Sequence, residues 1–163
     1  MTGDLNVTQS VLERLIDRDR NSPTDPPITH TESVRRLRAA LRRDLEWLLN
    51  TRRTPEAAET SFPELHRSLF NYGLPDVTSL SHESSADRAR LLEMVEQTIT
   101  TFEPRLSRVK VTQLEPARGA VHVLRFQIEG GLMMDPEPLH ISFDTVLQLA
   151  IGQYEVKGDA GAG

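Results

Sequence analysis

Cysteine is absent from the 163-residue sequence. Disulfide scaffolds, cysteine-ligated zinc and thiol catalysis are therefore excluded. No apolar run approaches the roughly 18 residues that identify a membrane-spanning helix. Residues 1–19 also lack the apolar stretch of a signal peptide. The sequence thus predicts a cytoplasmic protein without direct membrane insertion.

Lysine is nearly missing as well, since Lys110 and Lys157 stand against 17 arginines. Arginine makes planar, bidentate contacts with carboxylates, which suits protein interfaces. A GC-rich coding bias produces the same preference, and the sequence leaves both explanations open. The formal net charge of −5 gives no general attraction to nucleic acid or anionic membranes.

Apolar spacing predicts two long helices in the first half of the chain. The first is expected to start near residues 29–31, with Thr31 or Ser33 as N-cap, and to end near Asn50. The second is expected over residues 86–102, behind Ser84 and Asp87 at capping-box spacing. A shorter helix is predicted over residues 63–70. The core stripe of the first helix comprises Val34, Leu37, Leu41, Leu45 and Leu48, and that of the second comprises Leu91, Val95, Thr98, Ile99 and Phe102.

The second half alternates between apolar and polar residues, which predicts strands. A hairpin is expected from residues 108–114 and 120–129, with Gly130 and Gly131 ending its second strand. A third strand over 139–143, a short helix over 144–150 and a marginal strand over 154–157 complete the expectation. Helices followed by strands predict an α+β fold, with N-terminal helices packed on a small, mainly antiparallel sheet.

Three regions are expected along the chain: residues 1–28, 29–157 and 158–163. The first combines an amphipathic helix over residues 7–19 with a proline-rich linker, the second is the α+β domain, and the third is a disordered tail. The apolar side of the short helix includes Leu12, Leu15 and Ile16. This side is suited to docking in a groove of another protein, or to folding back on its own domain.

Seven arginines fall within residues 35–53. A phosphate-binding face is one interpretation, but stacking aromatics are scarce there and Asp44 and Glu46 interrupt the positive charge. We therefore favour a solvated or protein-facing surface, without specific nucleic-acid binding.

Glu103-Pro104-Arg105 breaks a local rule at the end of the second predicted helix. Pro104 cannot continue the helix, and Glu103 places a carboxylate at the negative end of the helix dipole. Two interpretations compete: a self-contained surface ion pair at a corner, or a site where function demands the exception.

Signals for catalysis are weak. The five histidines have no metal-ligand spacing, and the sequence lacks a G-x-S-x-G elbow, a P-loop and a G-x-G-x-x-G motif. Glu103 with Asp135 or Asp144 could supply the two carboxylates of a glycosidase, but any acidic protein offers such pairs, and Arg105 opposes a general-acid role for Glu103. We predict no enzyme activity, no metal, no cofactor and no small-molecule substrate.

Several blocks in order resemble one family. These blocks are RDLEWLLNTR at 43–52, SLFNYGLPD at 68–76 and FEPRL at 102–106, with VLERL at 11–15, FDT at 143–145 and GQY at 152–154. Together they resemble the TssE family of type VI secretion baseplate wedge subunits, which is similar to the small wedge protein of contractile phage tails. The loop at 133–138 and the Gly/Ala tail have no counterpart in the resemblance.

The resemblance implies a structural role with protein partners. Other baseplate wedge subunits and contractile sheath subunits would be those partners, in a baseplate near the inner membrane that starts sheath polymerisation. It also implies that Glu103, Pro104 and Arg105 act in assembly. We expect sheath strands to add at an exposed edge, either Tyr154 and Val156 or residues 108–114. A phage-like tail protein, a cell-wall glycan hydrolase and a nucleic-acid-binding module are the alternatives.

Overall fold

In the part of the chain from residue 29 that the structure describes, two α-helices precede a four-stranded antiparallel sheet. The computed structural model describes residues 15, 29–56, 61–77, 80–81, 84–115, 123–134, 137–149 and 151–158. The elements are α1 (His30–Asn50), α2 (Ser85–Phe102), β1 (Leu106–Gln113), β2 (Val123–Leu132), β3 (Leu139–Gln148) and β4 (Gln153–Val156). This order confirms the predicted α+β class.

Helix α1 begins earlier than the capping signals predicted. Thr29, in extended backbone, is the N-cap, and its hydroxyl accepts a hydrogen bond from the Glu32 N–H at 3.3 Å. Thr31 and Ser33 as caps are wrong, because both lie inside the helix and Ser33 is buried. The predicted end at Asn50 is confirmed. The predicted stripe is buried apart from the partly exposed Val34, and the buried apolar residues of α1 are Leu37, Ala40, Leu41, Leu45, Leu48 and Leu49.

Helix α2 begins one residue before its predicted start. The Ser84 hydroxyl accepts from the Asp87 N–H at 3.2 Å, which confirms the predicted cap. Its predicted core face is confirmed, with Phe102 only partly buried at the end. There the Phe102 ring meets the Tyr72 ring edge to face, with 5.4 Å between centroids.

The sheet order β1-β2-β3-β4 follows the order of the strands in the sequence. The prediction that Gly130 and Gly131 end the second strand is wrong: β2 continues to Leu132, and the glycines pair with Ile141 and His140. Glycine allows β1 to come very close at this point. A Cβ on Gly131 would lie 2.8 Å from the Ser107 Oγ, where β1 carries a bulge.

The predicted short helix over residues 144–150 is also wrong. β3 runs on to Gln148, so Asp144 to Gln148 are strand residues. Burial alternates along this stretch as it does in a strand: Phe143, Thr145 and Leu147 are buried, while Val146 on the opposite face is partly exposed. Two β-branched residues in this stretch favour the strand as well.

Strand β4 closes one side of the sheet, as predicted, with bounds one residue earlier. Its Tyr154 and Val156 are buried against the same core that receives the α1 and α2 faces. Each fully buried large apolar side chain contributes about 1.5–3 kcal/mol, so burial of the leucine face of α1 against the sheet is a major stabilising term. The core thus lies between one layer of helices and one face of the sheet.

The connection between the helices contains two short 3₁₀-helices, Pro63–Arg67 and Leu69–Asn71, rather than the single predicted helix. Gly73 has φ +103°, which confirms the predicted left-handed glycine. Leu74 then pairs with the end of α1: its N–H donates to the Thr51 carbonyl at 2.9 Å, and the Arg53 N–H donates to its carbonyl at 2.8 Å. The middle of the connection is therefore fastened to α1.

Most of residues 1–28 and all of 159–163 lie outside the described residues, including the predicted linker, the tail, Leu12 and Ile16. Leu15 is helical and 75% exposed. Residues 116–122, which include most of the predicted hairpin loop and the predicted start of its second strand, also lie outside, although β1 and β2 pair antiparallel as predicted. Within the described ranges, no helix is long and apolar enough to cross a membrane.

Candidate functional site

The Glu103-Pro104-Arg105 corner joins α2 to β1. The Glu103 N–H donates to the Ile99 carbonyl at 2.8 Å as the C-terminal cap of α2, and Pro104 prevents the next helical bond. The Leu106 N–H then donates to the Glu103 carbonyl at 3.1 Å, which closes the turn. Proline and the cap together place Arg105 directly over the end of the helix.

Arg105 holds Glu103 with a two-pronged contact. Its Nε donates to Glu103 Oε1 at 2.6 Å, and its Nη2 donates to Oε2 at 2.5 Å. The Arg105 backbone N–H also donates to Oε1, at 3.2 Å. Glu103 is only 5% exposed, so it is not part of a surface pair. Bidentate charge-assisted bonds are the geometry that offsets the cost of burying such a carboxylate.

Asp44 of α1 joins the same guanidinium. Arg105 Nη2 donates to Asp44 Oδ2 at 2.7 Å, across 61 residues of sequence. The hydrogen bond with Glu103 is the main cause that raises the pKa of Arg105, and Asp44 raises it further while burial lowers it. The interpretation of a self-contained Glu103–Arg105 pair is therefore wrong, because the network of Asp44, Glu103 and Arg105, here the corner network, ties α1, α2 and β1 together.

Two aromatic side chains, Trp47 and Tyr72, lie near the corner network. Arg43 bonds Asp44 at 2.9 Å and lies over the exposed Trp47 ring, 5.0 Å from its centroid. Burial raises the pKa of Tyr72 first, and the negative charges of Asp44 and Glu103 raise it further. Trp, Tyr and Arg are the residue types that dominate protein interfaces. In the sequence Asp44 only interrupts a run of positive charge, and its partner 61 residues away leaves no local signal.

The β4 edge is covered by side chains of α1. The Asn50 side chain bonds both outward groups of Tyr154: Nδ2 donates to its carbonyl at 2.8 Å, and Oδ1 accepts from its N–H at 2.9 Å. Arg42 Nη1 donates to the Val156 carbonyl at 3.4 Å. Tyr154 and Val156 therefore lie at an edge, as predicted, but both outward groups of Tyr154 and the carbonyl of Val156 already have partners.

The β1 edge is covered in a similar way by α2. Glu96 Oε2 accepts from the Val111 N–H at 2.9 Å. A bulge between Ser107 and Lys110 further distorts the strand, and Arg108 within it has φ 51°. Bulges and inward carboxylates are ordinary means of keeping an edge strand from pairing.

A groove of about 310 Å³ adjoins the β4 edge. Asn50 and Tyr154 form part of its wall, beside the exposed Ile151 of the β3–β4 turn. Its remaining lining residues are Leu49, Thr51, Arg52, Leu74, Pro75, Asp76, Val77, Leu147, Leu149 and Gly152. Neither the groove nor the role of Asn50 is evident from the sequence, because each depends on segments about 100 residues apart.

The carboxylates considered for glycoside hydrolysis are engaged elsewhere. Glu103 is buried under Arg105, and Asp144 Oδ1 accepts from Gln127 at 3.4 Å. Asp135 lies outside the described residues. Across the part of the chain that the structure describes, no cluster of three or more His, Asp or Glu could hold a metal ion.

Comparison with known proteins gives one family. The model of the baseplate wedge protein gp25 family matches residues 35–137, which include most of α1, the corner network and β2. The chain belongs to this family. The wedge family is structural, in agreement with the expectation from the resemblance. Strands β3 and β4 lie outside the matched range.

A solved structure and a search of curated proteins complete the comparison. A chain of "the baseplate complex from the type VI secretion system" is similar at 21% identity and a TM-score of 0.48, over 70% of this chain and 96% of that one. No curated protein matches. Membership of the wedge family therefore rests on the family model.

Proposed function

We propose that this wedge-family chain is a structural subunit of a type VI secretion baseplate, which helps to assemble the wedge and starts polymerisation of the contractile sheath. Family membership supports the baseplate role. The corner network carries the proposal further, because it fixes three elements beneath the exposed Pro104 and Trp47. A rigid corner with aromatic side chains beside it is suited to binding a protein partner.

The three motif residues have different parts in the proposed contact. Glu103 is buried and cannot reach a partner without opening the corner, so it positions Arg105. Pro104 is exposed, and the Arg105 side chain keeps about a quarter of its surface exposed. Pro104, Arg105 and Trp47 are thus the residues that contact a sheath or wedge subunit, while Glu103 and Asp44 set their geometry.

Two further contacts belong to the proposal. The first is strand addition by a sheath subunit at the edge that carries Tyr154 and Val156. The second is docking of the helix over residues 7–19 on another wedge subunit through Leu12, Leu15 and Ile16, for which the exposure of Leu15 is a supporting observation. Residues 1–28 then form a docking unit attached to the domain of residues 29–157.

The proposed location is the cytoplasm, in a baseplate docked near the inner membrane. The role needs no cofactor and no small-molecule substrate, and the proposal includes no specific nucleic acid. The chain would be held near the membrane by other subunits rather than by inserting itself.

Affinity purification from native cells tests this proposal. The tagged wild type is expected to recover baseplate and sheath subunits, and Arg105→Ala to lose the sheath. Arg35→Ala is the matched control, because Arg35 is an exposed arginine that pairs only locally with Glu32. Circular dichroism establishes that each variant is folded. Recovery of no tail-like protein by the wild type would refute the proposal, and full recovery by a folded Arg105→Ala would reduce the motif to an internal brace.

A wedge protein of a phage-like contractile tail is the second candidate, because the family model describes a baseplate wedge protein without naming the kind of baseplate. Neighbouring genes distinguish the two: secretion-system membrane subunits support the first, and phage head and tail genes the second. A glycan-release assay with the purified chain checks the hydrolase alternative, and we expect no release.

A further inference from the structure

Arg108 has a backbone conformation that is unfavourable for an arginine. At the bulge of β1, Arg108 and Val109 face the single Gly130 of β2. Within the described residues, Arg108 is the one non-glycine residue with positive φ, at 51°. Glycine or asparagine adopts this left-handed conformation at lower cost, and a bulge protects an edge strand without needing an arginine. An exposed arginine at this position therefore points to a role for its side chain.

The bulge directs the Arg108 side chain across β2. A Cβ on Gly131 would lie 3.7 Å from Arg108 Nη2 and 3.4 Å from the Pro138 Cβ, so the guanidinium lies against backbone that carries no side chain. The Ser107 hydroxyl donates to the Gly131 carbonyl at 3.0 Å, which holds β1 close to β2 at the same place. The position of the guanidinium is thus determined by the bulge and by glycine at 131.

Arg108 has no ion pair and no side-chain hydrogen bond in the part of the chain that the structure describes. Arg105, three residues earlier, is by contrast fully engaged by Glu103 and Asp44. A guanidinium without an internal partner keeps its capacity for a bidentate contact with a carboxylate. Arg108 is therefore available to a carboxylate from outside this domain.

An exposed methionine follows on the same face of β2. Strand alternation places positions 131 and 133 on one face, with the buried Leu132 between them on the other. Met133 is 55% exposed, and its N–H donates to the Arg105 carbonyl at 2.8 Å, so it adjoins the corner network. Methionine and arginine are both enriched in protein interfaces. Arg108 and Met133, here the bulge surface, thus extend the corner at one end of the sheet.

We propose that the bulge surface binds an acidic segment of another baseplate wedge subunit, whose carboxylate pairs with Arg108 and whose apolar side chain packs on Met133. This inference rests on the proposed function, to which it adds a second contact beside the corner network. A wedge subunit is the partner because the family is one of baseplate wedge proteins. A single carboxylate needs only the local positive charge, whereas the net charge of −5 disfavours an extended polyanion.

Binding of the purified, co-expressed remaining wedge subunits to the full-length chain tests the inference. Arg108→Gln should weaken binding about tenfold, the effect of losing one charge-assisted contact, and should reduce its dependence on salt. Arg90→Gln is the matched control, because Arg90 is also exposed but lies about three turns before the end of α2. The control should bind as the wild type does.

Arg108→Asn separates partner binding from a role in the fold. Asparagine adopts the left-handed conformation more readily than arginine, so the melting temperature should stay unchanged or rise. Binding of the wedge subunits should nevertheless weaken as it does in Arg108→Gln. A lower melting temperature with unchanged binding would make Arg108 an internal brace and would overturn the inference.

Met133→Glu tests the apolar half of the bulge surface. Its new carboxylate lies near Arg108 and competes with that of the partner, so binding should weaken at least tenfold. Ile151→Glu is the matched control, because Ile151 is similarly exposed, at 61%, and lies in the β3–β4 turn at the opposite end of the sheet. Equal losses in the two variants would contradict a local contact at Met133.

A photo-crosslinking amino acid at position 133 identifies the contacted segment in the assembled wedge. The cross-linked peptide should come from another wedge subunit and contain Asp or Glu. Changing that residue to Lys should restore binding to Arg108→Glu, because the charges of the pair are then exchanged. A peptide without an acidic residue, or a cross-link only within the chain or to a second copy, would overturn the inference.

The failures of the two ideas are distinguishable. If the wedge subunits bind the wild type, Arg108→Gln and Met133→Glu equally well, the bulge surface is not a contact, and the proposed function stands. If they bind none of the chains, the proposed function fails and the inference fails with it.

Discussion

Asp44 and Arg105 are joined by a 2.7 Å hydrogen bond from Nη2 to Oδ2, although 61 residues separate them in sequence. This contact links the middle of α1 to the turn that leads into β1. Because the same guanidinium also grips the buried Glu103, movement of α1 relative to β1 would disturb every bond of the corner network. The site formed by Glu103-Pro104-Arg105 therefore includes a fourth residue, Asp44, which is distant in the sequence.

Removing the guanidinium should destabilise the fold. Arg105→Ala leaves Glu103 buried without its partner, and we expect a loss of about 3 kcal/mol in the free energy of unfolding, the low end for broken buried pairs because Arg105 is partly exposed. Arg105→Lys keeps the charge but not the two-pronged geometry and should lose less. Urea denaturation measures both. Arg35→Ala, which removes an exposed pair, should have little effect, and an equally small effect of Arg105→Ala would contradict the buried role of the corner.

Acid should weaken the N-terminus of α1 through Glu32. Hydrogen bonds from Arg35, then Arg36, lower the pKa of Glu32 from 4.5 to about 2 in the folded chain. Because the pKa of Glu32 is lower in the folded than in the unfolded chain, its stabilising contribution is complete above about pH 4.5 and is lost as the pH falls toward 2. The melting temperature of Glu32→Gln should lie slightly below that of the wild type at pH 7, and the gap should close between pH 4.5 and 2. A constant gap down to pH 2 would exclude this linkage.

Tyr154 should make the fold sensitive to alkali. Burial raises its pKa from 10 to about 12, and no described residue bonds its hydroxyl. Because the folded state favours the neutral phenol, the contribution of Tyr154 to the free energy of unfolding is complete below pH 10 and is lost as the pH rises from 10 to 12. Tyr154→Phe should remove that loss while leaving the free energy of unfolding at pH 7 unchanged or up to about 1 kcal/mol higher.

Absorbance titration provides the direct check on Tyr154. Tyr72→Phe leaves Tyr154 as the only tyrosine of the chain, so the phenolate signal should appear near pH 12. A midpoint near 10 in the folded variant would mean that the ring is accessible to water.

Two glycines with positive φ should respond very differently to alanine. At Gly73, φ is +103° and an added Cβ would lie 2.3 Å from the Thr51 carbonyl oxygen, so Gly73→Ala must push the connection off α1. At Gly152, φ is +64° and no described atom lies within 4 Å. Gly152→Ala should therefore cost only about 1 kcal/mol, and Gly73→Ala clearly more. Thermal melts compare them, and equal costs would rule out the steric argument.

The sequence predicted most accurately what depends on neighbouring residues. The stripe of α1, the Ser84 cap of α2 and the left-handed Gly73 follow from spacing and local chemistry, and all three are confirmed. The prediction for the glycines in β2 was wrong because their role depends on the close approach of β1. The prediction for the segment after Asp144 was wrong because this strand is defined by its pairing with β2 and β4 on both sides. Local propensity carries no information about either neighbour.

The candidate site divides in the same way. Glu103-Pro104-Arg105 could be singled out because it breaks a helix-end rule within three residues. Asp44 and Asn50 could not, since each is an ordinary polar residue of an arginine-rich helix until the sheet is placed beside it. Long-range hydrogen bonds are the part of a site that periodicity cannot supply.

The order of the elements also determines when each contact can form during synthesis of the chain. The strands pair with their sequence neighbours, so the sheet can form from local contacts, whereas Asn50 leaves the ribosome 104 residues before its partner Tyr154. At ordinary elongation rates this delay is roughly 5–20 s. Until β4 has emerged, the leucine face of α1 has no complete sheet to cover it. The nascent chain, rather than the finished subunit, is therefore the form most exposed to unwanted association, and the stage at which a chaperone would be of most use.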